Sequence, residues 1–164
     1  MSDDAFARII AEADFPMAIV TAYDGNERSG CLVGFHTQCS IAPRRWLACI
    51  SKTNHTFGIA RGARRLVVHL LRADQHDLAQ LFGGETADAI APATKFERCA
   101  WHPAADGTPV LDGCDWIAGA ILQRVDLGDH VGHLLEIDAA GHDHPAEPPL
   151  GFQSARDIRP GHPP

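Results

Sequence analysis

Apolar and polar positions along this chain repeat with two periods. Phe6, Ile9, Ile10 and Ala13 recur at helical spacing and predict an N-terminal helix with one apolar face, capped by Ser2 or Asp3. Phe15-Pro16 stops it, because the residue before a proline resists helix. Strand patterning then takes over. Met17 to Ala22 predicts a strand, Asp24-Gly25-Asn26 a turn, and Ser29 to Phe35 the hairpin partner. Trp46-Leu-Ala-Cys-Ile50 is a short apolar run bounded by turn residues at Pro43-Arg44-Arg45, the pattern of a buried strand. Apolar residues resume at Phe57, so a short helix is expected to start near Asn54 or Thr56 and end at Gly62. Arg65 to Leu71 reads as a strand. Asp74 caps a helix through Leu78, Leu81 and Phe82, ended by Gly83-Gly84. Glu85 to Arg98 is mixed, with Pro92 breaking any long helix. Trp101 to Gly113 is turn-rich, with Val110-Leu111 as a packing anchor. Cys114 to Leu127 and His130 to Asp138 predict two long antiparallel strands around Gly128-Asp129. From Gly141 a His-, Pro- and Gly-rich loop is expected. Leu150 to Ile158 then packs back on the body, and Gly161 to Pro164 frays.

No repeat or linker divides the 164 residues, so one domain over 1–164 is expected, with a core at about 15–140 and a tail at 141–164. The formal charge of −7 argues against a dedicated nucleic-acid binder. No apolar run spans a bilayer and no signal sequence is read at the N-terminus, so no membrane role and a cytoplasmic location are expected. The five cysteines are odd in number and lack C-x-x-C spacing, which indicates neither a disulfide framework nor a zinc knuckle. The ten histidines do not make a metal site either. His130 and His133 point to opposite faces of a strand, and His142 and His144 lack a convergent third ligand beyond Asp143 or Glu147. No G-x-S-x-G elbow, P-loop or G-x-G-x-x-G turn occurs.

What remains is the stretch from Phe35 to Thr56. Thr37, Gln38 and Ser40 offer hydroxyls, an amide and backbone groups for a flat heteroaromatic ligand. Ser51, Lys52, Asn54, His55 and Thr56 offer donors and a fixed positive charge beside a helix N-terminus, which suits a phosphate. The same residues also fit a polar loop followed by a capped helix. Arg44, Arg45, Lys52, Arg61, Arg64 and Arg65 fit either a solvated basic surface or a positive rim for phosphorylated cofactors.

Phe15-Pro-Met-Ala-Ile-Val-Thr21, Ser29 to Phe35, Thr37-Gln-Cys-Ser40 and Ser51-Lys-Thr-Asn-His-Thr56 together resemble the flavin reductase-like, FMN-binding split-barrel family. Gly107-Thr-Pro-Val-Leu-Asp-Gly113 and Gly128-Asp-His130 follow in the family's order, so the likeness runs from about Phe15 to Ile137. The resemblance implies an all-β, antiparallel split β-barrel of Greek-key character with a few short flanking helices. It implies a homodimer and FMN, or FAD, as the flavin, with NADH or NADPH as donor. The implied activity is NAD(P)H:flavin reduction that supplies a partner monooxygenase. By the same resemblance Thr37, Gln38, Cys39 and Ser40 line the flavin, and Ser51, Lys52, Asn54, His55 and Thr56 take its phosphate. Lys95 and Phe96 lie near the pocket or the dimer seam. His130 lies near the nicotinamide as the catalytic residue, and Phe152 covers the pocket. His69 stands where the family commonly has asparagine, Gly132 comes early after Gly-Asp-His, and the tail lacks an aromatic-rich ending. The histidine bears on pocket polarity, and the other two departures bear on the electron donor. Rival readings are a non-catalytic flavin- or haem-binding carrier or sensor, a deazaflavin-dependent member of the superfamily or one acting directly on an organic substrate, and a structural barrel without a cofactor.

Overall fold

The computed structural model describes residues 3–84, 93–142 and 147–161. The expectations for Ser2, for most of the mixed stretch after Gly84 and for the tip of the tail lie outside those residues. The chain opens with α1 (Asp3–Glu12), followed by β1 (Ala18–Tyr23) and β2 (Arg28–Val33). Next come β3 (His36–Ser40), β4 (Arg45–Ser51), α2 (His55–Gly62) and β5 (Arg65–Leu70). A 3₁₀ turn at Ala73–Gln75 leads into α3 (His76–Gly83), and α4 (Ala93–Glu97) precedes the short pair β6 (Trp101–Pro103) and β7 (Pro109–Leu111). The long strands β8 (Asp115–Asp126) and β9 (His130–Gly141) are the last in chain order, and a second 3₁₀ turn occupies Phe152–Ala155.

One antiparallel sheet holds seven strands in the order β2-β1-β5-β8-β9-β4-β3. The fold is thus mostly β, with a few short helices. Its two edge strands, β2 and β3, are separated in sequence only by Gly34 and Phe35. The three Cα steps from Val33 to His36 reach at most about 11 Å. The sheet therefore curls until its edges approach each other at that end. The polar run after Phe35 forms the edge strand β3 rather than a loop. Its periodicity hides this, because Thr37, Gln38 and Cys39 are all exposed and no apolar face marks the strand.

The concave side is filled by Val20, Ile50, Leu66, Val68 and Leu135, with α2 lying across it through Ile59 and Ala60. Burying each Leu or Ile there stabilises the fold by about 1.5–3 kcal/mol. Asn54 caps α2, its side chain accepting from the Thr56 backbone N–H at 2.9 Å. Arg124 donates to the carbonyls of Ala60 and Ala63 at the other end. The opposite side of β1 packs Met17 and Ile19 against Leu81, Phe82, Phe96, Leu150 and Ile158, so β1 is buried on both faces.

His69 is a core residue. Its Nδ1 donates to the Ile19 carbonyl at 3.0 Å, and its Nε2 accepts from the Leu111 N–H at 2.9 Å. It thereby ties the β6–β7 hairpin to the sheet. Burial drives its pKa down to about 4, so the ring is neutral. Val110 and Leu111 are buried, as the anchor expectation holds.

Candidate functional site

A cavity of about 830 Å³ lies where the two sheet edges meet. Most of its wall is apolar: Phe15, Met17 and Val33 on one side, Phe82 beyond, and Phe152 and Ile158 from the tail. The polar groups are few and come from one quarter. Strand register places Ser51 opposite His130 and Cys49 opposite Gly132. Thr37 on β3 falls on the same face. Thr37, Ser51, Asn54 and His130 thus all line the cavity, joined by His36. A large apolar space with a few convergent polar groups is the usual form of a small-molecule site.

His130 sits at the start of β9, its ring 5.0 Å from that of Phe35 and tilted 57° to it. Its Nδ1 is 2.7 Å from an Asp129 carboxylate oxygen. This bond holds the Asp129 carboxyl below the usual range. Ser51 Oγ lies 3.0 Å from Thr53 Oγ1. His36 hydrogen-bonds the Pro16 carbonyl through Nε2 at 2.8 Å, so that nitrogen carries the proton, and its ring stacks on Trp46. Burial lowers its pKa, with the Pro16 bond opposing. The two thiols in the wall, Cys31 and Cys49, are pushed up by burial, Cys31 to about 11. They are protonated near neutrality and are poor nucleophiles.

The other residues singled out in the sequence lie outside the cavity wall. Gln38 and Cys39 are exposed, and Ser40 is half-buried on the same edge strand. Lys52 donates to both oxygens of Asp126, at 3.0 and 2.9 Å. His55 Nε2 is 2.7 Å from Glu27 Oε1 on the β1–β2 turn. Thr56 is buried, 2.8 Å from Ser29 Oγ. Lys95 donates to the Phe82 carbonyl at 3.2 Å, and Phe96 is buried edge-on between Phe82 and Trp101. These two brace the Phe82 wall from behind. None of the six basic residues from Arg44 to Arg65 lines the cavity; Arg45 pairs with Glu136, Lys52 with Asp126 and Arg65 with Asp138.

Sequence reasoning missed His36 and the wall of Ile10, Phe15 and Ile158. Phe15 is 43% exposed although aromatic, and Phe35 is 57% exposed. Exposed aromatics at one cleft are a ligand or interface signal that only the fold reveals.

The flavin reductase like domain family matches residues 12–160. The actinorhodin polyketide dimerase of Streptomyces coelicolor is 31% identical over 141 residues, covering 85% of this chain and 74% of that protein. The NADH:FMN oxidoreductase of Rhodococcus erythropolis is 26% identical over 148 residues, covering 88% and 74%. The solved NADH:FAD oxidoreductase of Streptomyces globisporus, in complex with NAD and FAD fragments, superposes with a TM-score of 0.79 at 23% identity over 94% of this chain and 90% of that one. The cavity thus sits in a fold shared with a solved flavin enzyme, and the chain belongs to the flavin reductase like domain family.

Proposed function

We propose that this protein is an FMN-dependent oxidoreductase that takes hydride from NADH or NADPH and passes reduced flavin to a partner monooxygenase. The observation that carries this reading is the cavity between the sheet edges, with Thr37, Ser51, Asn54 and His130 on one wall of a chain in this family. Its volume and mostly apolar lining suit a tricyclic ring. Its hydroxyls and amide suit the polar edge of that ring and the ribityl chain. Asn54, in the wall, is also the N-cap of α2, so the phosphate of FMN would meet the positive end of that helix.

When bound, FMN supplies the ring that accepts hydride. The chain's own groups bind, orient and exclude water. Thr37 and Ser51 fix the flavin edge. Phe35 and His130, ring against ring, bound the place for the nicotinamide. Phe15 and Phe152 border the apolar side. No strong acid or base is required.

The curled sheet, with edges joined by two residues, supports a split barrel. The apolar face of α1 supports a homodimer: Phe6 and Ile9 are 57% and 66% exposed beside the cavity residue Ile10. We read 1–164 as one domain acting in the cytoplasm.

Titration of the purified protein with FMN, followed by anaerobic addition of NADH and NADPH, tests the proposal. Binding followed by bleaching of the oxidised flavin supports it and identifies the donor. Binding without bleaching favours a carrier or another reductant. Absence of binding removes it.

A further inference from the structure

We infer that Lys52 is a positioning residue for His130: it clasps the β8–β9 turn that carries the histidine, and does not anchor a phosphate. The inference rests on the reading of the cavity as a flavin and nicotinamide site.

Lys52 is the first residue beyond β4. Its backbone N–H donates to the Asp129 carbonyl at 2.9 Å, continuing the β4–β9 ladder past Ser51 and His130. Its side chain reaches over the start of β9 to the end of β8, where Nζ bonds both Asp126 oxygens. The same carboxylate accepts from the Gly128 N–H at 3.0 Å, and the turn closes with the Leu127 N–H on the His130 carbonyl at 2.9 Å. Gly128 has φ +101, a conformation that favours glycine. Asp129 then bonds His130 Nδ1. The residues from Asp126 to His130 are thus pinned by Lys52 through one backbone and two side-chain bonds.

A single exposed ion pair contributes little. This one is two-pronged and shares its carboxylate with the turn backbone, so its effect is on placement more than on stability. The hydrogen bond from Lys52 is also the main reason the Asp126 carboxyl stays below its usual range. Lys52 is absent from the cavity wall, whereas Ser51 before it and Asn54 after it are present.

The two roles for Lys52 predict opposite behaviour of Asp126. The test compares Lys52→Ala, Asp126→Ala, and the exchanged pair Lys52→Asp with Asp126→Lys. Dissociation constants for FMN and riboflavin are measured, and flavin reduction by NADH is followed by stopped flow. A clasp predicts that both alanine variants slow hydride transfer by a similar factor, about tenfold, while the FMN-to-riboflavin affinity ratio stays within about twofold. The exchanged pair should recover most of the rate. A phosphate anchor predicts that Lys52→Ala loses FMN selectively and that Asp126→Ala, by releasing the lysine, tightens FMN; that pattern overturns the inference. Unchanged rates in both alanine variants also overturn it. The ring NMR resonances of His130, assigned with His130→Gln and titrated without flavin, give a reading that survives failure of the flavin proposal. They should shift in both alanine variants and return in the exchanged pair. Identical resonances in all of them reject the clasp, whatever the protein binds.

Discussion

The two faces of β4 and β9 share one set of backbone hydrogen bonds and do different work. The inner face carries Ala48, Ile50, His133 and Leu135, all fully buried on the concave side of the sheet. The outer face carries Cys49, Ser51 and His130 and lines the cavity. Alternation along a strand assigns each residue to one side. On the inner side volume decides the residue, because the interior is close-packed. On the outer side the choice depends on what must stay open to a ligand. Two histidines three positions apart in β9 therefore have unrelated roles. Burial, with Arg124 nearby, keeps His133 neutral inside the core. His130 borders the cavity against Phe35.

This contrast is broken most directly at Leu135. Leu135→Ala should lower the unfolding free energy in urea by about 2–5 kcal/mol, while the folded fraction binds FMN within about twofold of the parent. A large loss of FMN affinity at full folding would mean that the two faces are not separable.

The next effect is with acid. The folded pKa of His69 is depressed from 6.5 to about 4, so the folded state prefers the neutral ring. This contribution is complete above the unfolded value and is lost as pH falls from about 6.5 toward 4. It amounts to at most about 3 kcal/mol. Urea midpoints at pH 7 and pH 4.5 should therefore diverge more in the parent than in His69→Asn. Equal divergence would remove His69 as the buried titrating group.

A smaller effect is expected on the outer face. His130→Ala should leave the FMN dissociation constant within about twofold and slow flavin reduction by NADH, or raise the apparent KM for it, by about tenfold. Unchanged stopped-flow traces would detach His130 from the donor. The smallest effect is expected at Cys39. It is exposed on β3 within the family-like segment, and Cys39→Ser should change stability by less than about 0.5 kcal/mol and leave FMN binding as it was. A marked loss of FMN would move the flavin onto the outer surface of the edge strand.

Much of the fold was legible because its strands are buried by alternation or as short apolar runs. The pattern of Met17 to Ala22 marks β1, and Trp46 to Ile50 marks β4 within a residue at each end. Asn54 as the start of α2 could be read from capping chemistry. The edge strand β3 could not, because its exposed polar residues carry no periodicity. The site was legible in part. Segment resemblance pointed to Thr37, Ser51, Asn54 and His130, which the fold gathers around one space. It also pointed to Lys52, His55 and Thr56, whose partners Asp126, Glu27 and Ser29 are far off in sequence. A chain read in order shows that a lysine is present but not which carboxylate, 74 positions away, has claimed it.

The cavity lining runs from Ile10 to Pro160. The tail is fastened to both flanks of the cleft, through the bridge between Pro16 and Gly151 and the bond from the Gly161 N–H to the Gly83 carbonyl at 3.2 Å. The binding space is therefore complete only after residue 160 has been synthesised. The last strand of the sheet ends at Gly141, so the sheet and the full wall of the cavity are built from separate stretches of the chain. A change that undocks residues 152–160 would therefore open the cavity while leaving every strand of the sheet in place.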